Sequence, residues 1–195
     1  MSDDATIAVY DAQADEYRRK TEKLYELKEA EAFAEALPAG GHVLDLGCGP
    51  GLYAAWFAAR GFAVAAWDAS AEMVRLARAQ GVAARQAAFD ELETEGVYHG
   101  VWANFSLLHA PRADLPGLLA RIRRAGRPGM ALHLGMKLGS GEGPDRLGRF
   151  YAYYREDELE GLLRDAGFRV AQRWHGQGPG LDGTMSDYVT LLCHG

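Results

Sequence analysis

The sequence predicts an α/β domain whose mostly parallel, doubly wound sheet carries helices on both faces. Short runs rich in β-branched and aromatic residues alternate with helix-length segments. The runs are apolar throughout rather than at every second residue, as in strands buried on both faces. Each helical segment also carries its own stop signal, and this alternation implies parallel strands joined by helical crossovers. The strand runs are His42 to Leu46, Ala63 to Trp67, Gly100 to Asn104 and Met130 to Leu134. Between them, Leu52 to Arg60 is closed by Gly61, and Ser70 to Gln80 opens on a serine cap and is closed by Gly81. Leu115 to Ala125 is closed by Gly126, with Pro128 just beyond. The style then changes. Glu156 to Ala166 sets Leu159, Leu162, Leu163 and Ala166 at helical spacing and stops at Gly167. Two last runs, Phe168 to Trp174 and Tyr188 to Cys193, flank a loop from Gly176 to Ser186 and read as an antiparallel hairpin. The N-terminal extension reads as helical, with Tyr10, Tyr17 and Leu24 seven apart and Ala14, Thr21 and Leu27 on the same side. It is expected to pack over the sheet's edge.

The chain has 195 residues, 48% of them hydrophobic and 25% charged, the composition of one ordinary domain. A chain of this size buries roughly 70% of its unfolded surface, so it needs neither disulfides nor a structural metal. Cys48 and Cys193 stand far apart, without C-x-x-C spacing or a histidine at zinc-finger distance, which points away from a metal site and toward the cytoplasm. The acidic start, Met1 to Asp4, leads into no apolar segment of the secretory kind. The most apolar stretch, Leu52 to Trp67, is broken by Arg60 and Gly61 and falls short of the ~20 residues that cross a bilayer. A net charge of -6 repels phosphate backbones. The one basic cluster, Arg121, Arg123, Arg124 and Arg127, falls at a helix C-terminus, where cations complement the dipole. Neither a nucleic acid nor a membrane is therefore expected as a partner. The abundance of arginine, alanine and glycine hints at a bacterial source.

Chemistry concentrates in Val43-Leu44-Asp45-Leu46-Gly47-Cys48-Gly49-Pro50-Gly51, a buried strand running into a Gly-x-Gly-x-Gly turn and then a helix. Glycines there let the backbone approach a ligand beside a helix N-terminus. The next strand ends in Asp68, where a doubly wound fold places the carboxylate that grips a ribose diol. A dinucleotide site would want glycine at position 52, which is Leu52.

This nine-residue stretch resembles the first motif of the class I S-adenosylmethionine (SAM)-dependent methyltransferases. The likeness runs from about Tyr10 to the C-terminus and is specific from about Leu37 to His109. It implies a Rossmann-like, seven-stranded sheet with an antiparallel C-terminal hairpin and an N-terminal helical extension. It also implies one domain over 1–195, divided into the extension (1–38), a cofactor-binding half (42–135) and a substrate-side loop, helix and hairpin (136–195). Asp68-Ala69-Ser70 with Met73 resembles the second motif, so that Asp68 would hold the ribose hydroxyls and Met73 would flank the adenine. Asn104 to His109 resembles the segment beneath the methionine moiety, which brings in Asn104 and Ser106. Gly47 and Gly49 form the loop, and Asp45 organises it and faces the amino group. Tyr10 or Tyr17 is placed to close over the cofactor. Gly126 to Gly129 stands where the family turns into its fifth strand.

The pattern is broken at two places. The adenine-binding acid falls on Ala88, leaving the Phe89 amide and the Asp90 carboxylate as substitutes, and His99 replaces the acid before the fourth strand, which reads as a surface change. Cys48 is read as packing. His109, near the transferable methyl, is a candidate general base. In Phe150 to Tyr154, alternation sends Tyr151 and Tyr153 one way, as candidate walls of the substrate pocket. The resemblance implies a methyltransferase that uses SAM, releases S-adenosylhomocysteine, acts on a small-molecule acceptor and works as a monomer or homodimer. Two readings stand beside it: a SAM-binding module without catalysis, and a nicotinamide-dependent oxidoreductase, against which Leu52 argues.

Overall fold

A computed structural model describes residues 4–23 and 27–195. Leu24, one of the heptad-spaced trio, lies outside the described residues. Three helices open the chain: α1 (Asp4–Ala12), α2 (Ala14–Lys23) and α3 (Lys28–Glu35). Strand and helix then alternate through β1 (His42–Leu46), α4 (Leu52–Ala59), β2 (Ala63–Asp68), α5 (Ala71–Ala79), β3 (Ala84–Gln86), β4 (Tyr98–Asn104), α6 (Leu115–Ala125) and β5 (Gly126–Lys137). The last third holds β6 (Glu142–Pro144), β7 (Phe150–Ala152), α7 (Glu156–Asp165), β8 (Arg169–Pro179) and β9 (Met185–His194).

Seven strands form one sheet in the order β3-β2-β1-β4-β5-β9-β8. The first five are parallel, and β9 runs antiparallel to both β5 and β8. The order reverses between β1 and β4, so their carboxyl ends open a crevice, the place where ligands bind in open α/β sheets. On one face, Trp102 of β4 is 1% exposed. It stacks on His133 of β5 with ring centres 3.6 Å apart and meets Phe33 of α3 and Phe57 of α4 edge-on. On the other face, Leu115, Leu118, Leu119 and Ile122 of α6 join Leu159 and Leu163 of α7 over Leu44, Val101, Leu132 and Leu134. No helix among the described residues is long and apolar enough to cross a membrane.

The predicted strands and helices are all present, and four details differ. Strand β3 escaped sequence reading because it is three residues long and exposes Arg85 and Gln86. The C-terminal hairpin is longer than predicted: Gly176 to Pro179 and Met185 to Ser186, assigned to the loop, pair across it and leave a turn at 180–184. His99 lies inside β4 rather than before it, and its Nδ1 accepts the backbone N–H of His42 at 2.9 Å. The extension does not sit at the sheet's edge. Helix α3 packs on the face through Phe33, whereas α1 lies across the carboxyl ends of the strands, against α5 and the segment after β5.

Gly51 shows how tightly the loop is set. It caps α4 at φ +84°, and a Cβ there would lie 2.8 Å from Cβ and 2.9 Å from Cα of Ala77 on α5. Gly61 has a similar φ of +86° with nothing within 4 Å. Gly61→Ala is expected to cost about 1–2 kcal/mol for the left-handed backbone alone, and Gly51→Ala a further ~1–3 kcal/mol for overpacking. Urea denaturation of the two variants checks this, and equal losses would refute the close-packing account.

Candidate functional site

The turn after β1 is drawn tight against the neighbouring strands. The amides of Gly47 and Cys48 both donate to the carbonyl of Trp67, at 2.8 and 2.9 Å. Gly47 has φ +80°, and a Cβ on it would lie 2.2 Å from Cβ of Ser106. Ser106 in turn donates its hydroxyl to the carbonyl of Leu46 at 2.6 Å, bracing β1 to the segment after β4. Only glycine leaves the backbone bare at that point.

Asp68 ends β2 with both carboxylate oxygens oriented by backbone amides. Gly49 donates to Oδ2 at 2.8 Å, and Ser70 donates to Oδ1 at 2.9 Å. Burial pushes its pKa up to about 6 against those two amides. Ser70 caps α5 by accepting the Met73 amide at 3.1 Å, and it donates its hydroxyl to Asp11 at 2.5 Å, which fastens α1 to the start of α5. Asp45 is 2% exposed beneath the loop. Burial, then the charge of Asp68, push its pKa up to about 8, and the Ala54 amide opposes them. Its Oδ2 has no hydrogen-bond partner among the described residues. Cys48 is buried too, and burial with the two acids pushes its thiol far above the ordinary range, as packing rather than reactivity requires.

Opposite this acidic side lies a network centred on Tyr10 of α1. Its hydroxyl is 2.8 Å from Nε2 of His109, and Nη1 of Arg149 donates to it at 3.0 Å. Nδ1 of His109 is 2.7 Å from the carbonyl of Phe150, so the ring proton sits on Nδ1 and Nε2 accepts from Tyr10. Burial pushes the His109 pKa down to about 4, which keeps the imidazole neutral at physiological pH. Arg149 is 1% exposed and forks onto Asp145, with Nε and Nη2 donating to Oδ2 at 3.0 and 2.6 Å. The Phe150 amide donates to Thr6 Oγ1 at 2.7 Å, a second tie between α1 and this segment.

One pocket gathers most of the predicted residues: Tyr10, Tyr17, Gly47, Gly49, Asp68, Ala69, Met73, Phe89, Asn104, Ser106 and His109 all line it. Asp45 and Asp90 are not on its wall, Asp45 because it sits under the loop and Asp90 because it follows Phe89 into a short 3-10 turn. Tyr151 and Tyr153 share a face as the alternation predicts, their rings stacked 6.1 Å apart. Tyr151 is buried behind His109, with ring centres 4.6 Å apart, and does not itself reach the wall. Sequence reading missed Thr6, Ile7 and Phe105 on the wall and the Arg149–Asp145 pair behind it. Nothing local marks Arg149, which sits in a glycine-rich stretch with no periodicity.

These residues fit a ribose-bearing cofactor with a cationic end. Asp68 presents a carboxylate preset by two amides, the glycine turn leaves the space that a Cβ would fill, and Asp45 holds an unpartnered oxygen under that turn.

Residues 43–129 match the family model of a methyltransferase domain. No curated protein matches the sequence. Among solved structures, the chain is similar to the 1,6-didemethyltoxoflavin-N1-methyltransferase of Burkholderia thailandensis, solved with 1,6-didemethyltoxoflavin and S-adenosylhomocysteine. The identity is 24% over 97% of this chain and 87% of that one, with a TM-score of 0.76. A SAM-dependent methyltransferase from Mesorhizobium loti is 17% identical over 86% of this chain and 97% of its own, with a TM-score of 0.69. The S-adenosylhomocysteine complex of DhpI is 24% identical over 96% and 94%, with a TM-score of 0.66. These structural likenesses bear on the fold, and the family model bears on the activity. That model spans the first strand, the glycine loop, Asp68 and the start of the fifth strand, so the chain carries a methyltransferase domain, and SAM is the cofactor that its pocket fits.

Proposed function

We propose that the chain methylates a small molecule that enters beside α1 and meets the cofactor near Tyr10 and His109. The roof over the pocket carries this reading. Helix α1 is tied to α5 through Asp11 and Ser70, and to the segment after β5 through Thr6 and Tyr10, which leaves a polymer little access to the enclosed end. The Burkholderia thailandensis neighbour, whose name gives it a small heterocyclic substrate, supports it. In this reading the N-terminal extension (1–38) supplies the roof through α1 and Tyr17 of α2, 42–135 hold the cofactor, and 136–195 form the acceptor side. Two buried free cysteines suit a reducing bacterial cytoplasm, with the protein acting as a monomer or homodimer.

Asp68 would accept the ribose hydroxyls, while Ala69, Met73 and Phe89 would border the nucleobase. Gly47 and Gly49 would admit the amino-acid end, with Asn104 and Ser106 below and Asp45 acting from under the loop on its ammonium. Tyr17, edge-on to Tyr10 at 5.2 Å, would complete the closure. When bound, SAM supplies an electrophilic methyl carbon, so the protein's task is to align an acceptor and exclude water. His109 suits that task as a positioning residue. Its Nε2 holds the Tyr10 hydroxyl, and it becomes free to take a proton from an acceptor only when that bond is exchanged.

Asp68→Ala is expected to weaken S-adenosylhomocysteine binding by at least ~1.5 kcal/mol, more than tenfold in Kd, because hydrogen bonds to a charged group contribute ~1.5–3 kcal/mol each. Calorimetric titration checks this, with NAD as the ligand that should give no heat. Wild-type protein that is folded and yet silent toward S-adenosylhomocysteine would defeat the reading.

Affinity should also depend on pH. The ribose hydroxyls donate to the ionised carboxylate, and Asp68 in the free protein has its pKa raised to about 6. As the pH falls through 6, the carboxylate protonates before ligand binds, and Kd rises by up to about tenfold per unit. Titrations from pH 8 to 5 should show the rise steepen below pH 6 in the wild type and not in Asp68→Asn, while Asp45, raised to about 8, adds a dependence of its own in both. The same steepening in Asp68→Asn would transfer the effect to another group.

A further inference from the structure

On the acceptor side one cation stands out because its neighbours are already engaged. Lys137, the last residue of β5, is half-buried with Nζ 4.4 Å from the centre of the Tyr151 ring. Tyr151 is the ring that also packs edge-on against His109, so the ammonium lies one aromatic ring beyond the pocket wall. The turn of the C-terminal hairpin closes over it, and a Cβ on Gly180 would come within 3.2 Å of Nζ, so glycine there leaves the ammonium its space. Lys137 pairs across the sheet with Tyr188, whose ring meets the wall residue Phe105 at 5.2 Å.

The charges nearby do not satisfy it. Asp145 receives Nε and Nη2 of Arg149 on one oxygen and the amides of Leu147 and Arg149 on the other. Asp182 gives one oxygen to the amide of Thr184 at 3.0 Å and the other to its hydroxyl at 2.8 Å. Among the described residues, Lys137 has no ion pair within 4 Å and no hydrogen bond from its ammonium. Burial and the charge of Arg149 hold its pKa below the ordinary lysine value, against the opposing charges of Asp182 and Asp145. An ammonium has three donors to satisfy, and over an aromatic face at a partly buried site it favours an anion that brings acceptors with it.

We propose that Lys137 binds an anionic group of the methyl acceptor, so that the enzyme's substrates are small molecules bearing a carboxylate or a similar single negative charge. Tyr151 and Tyr153 supply the aromatic flank of that subsite, and Arg149, neutralised by Asp145, keeps Tyr151 and Tyr10 in place. The inference rests on the small-molecule reading above and narrows it. An anion at Lys137 would leave the remainder of the molecule to reach past Tyr151 toward His109, which restricts acceptors to those with a nucleophile a short distance from the charge.

The test uses the whole chain and a panel of small phenols, amines and thiols in matched pairs, each carboxylic acid beside its primary amide. Transfer of label from methyl-tritiated SAM is followed, after calorimetry has established S-adenosylhomocysteine binding. Methylation should favour the acids by at least tenfold in kcat/KM. Lys137→Met should erase that preference through KM with S-adenosylhomocysteine affinity unchanged, and Lys137→Arg should restore part of it. Amides methylated as well as acids, a Lys137→Met variant with an unaltered KM for the acids, or no acid methylated by protein that binds S-adenosylhomocysteine would each overturn the proposal. Failure to bind S-adenosylhomocysteine would instead remove the function on which it rests.

Discussion

The rest of the site depends on how closely the turn after β1 approaches the end of β4. With 2.2 Å between a hypothetical Gly47 Cβ and the Ser106 Cβ, no side chain at 47 is compatible with the strand spacing. Ser106 uses the contact by donating to Leu46, and the next strand repeats the arrangement. A Cβ on Gly135 of β5 would lie 2.7 Å from Oδ1 of Asn104, and the Phe105 amide donates to the Gly135 carbonyl at 3.1 Å. Between these ties Phe105 holds φ +53°, the one positive value at a non-glycine among the described residues. A bulky residue in that region is strained by about 1–3 kcal/mol and persists where its surroundings over-determine it. The strain falls on the pocket wall, at the place where β1, β4 and β5 are bound together.

That rigid floor faces a roof of a different kind. Helix α1 has one buried residue, Thr6, and most of its ties to the body are polar: Thr6 to the Phe150 amide, Tyr10 to His109 and Arg149, and Asp11 to Ser70 and the Glu72 amide, with Tyr10 also packed against Met73 and Leu76. The two neutral bonds contribute about 0.5–1.5 kcal/mol net each, and the three to Arg149 or Asp11 about 1.5–3 each. Together they shield the pocket through bonds that water or a ligand can replace one at a time. A floor built on packed backbone and a roof built on exchangeable hydrogen bonds divide the labour between alignment and access.

What could be read from the sequence follows from how local each determinant is. The glycine turn and Asp68 were legible because a strand end, three glycines and an acid at the next strand end are all fixed by neighbours in the chain. The same holds for α4 to α7, each closed by its own glycine. Asp45 falls at the end of β1, as its sequence position suggested, yet its depth beneath the loop depends on α4 and is not written in the motif. The acceptor side was mostly hidden because its contacts join residues remote in sequence: Tyr10 with His109, Arg149 with Tyr10, Thr6 with Phe150. Tyr151 and Tyr153 share a face as the two-residue alternation predicted, but neither lines the pocket, and the burial of Tyr151 behind His109 required the fold. Arg149 and Lys137 carry no pattern, and only the closing of 137–153 onto α1 gives them meaning.

The two halves of the site also differ in sign, and this has a consequence for turnover. The cofactor side gathers Asp45, Asp68 and Asp11, whereas the acceptor side carries Arg149 and Lys137 over tyrosine rings. Burial has raised the pKa values of Asp45 and Asp68, which means that their charges are poorly solvated and that a cationic ligand relieves them. Such a pocket discriminates between a cofactor with a net positive charge and a product that has lost one, because the acids gain more from the first. On the proposed acceptor side, where Arg149 is already paired with Asp145, an anion at Lys137 would be held alike before and after methylation. With Lys137 as the proposed anchor, the electrostatics favour release of the spent cofactor, which has lost its positive charge, over release of the acceptor's anion.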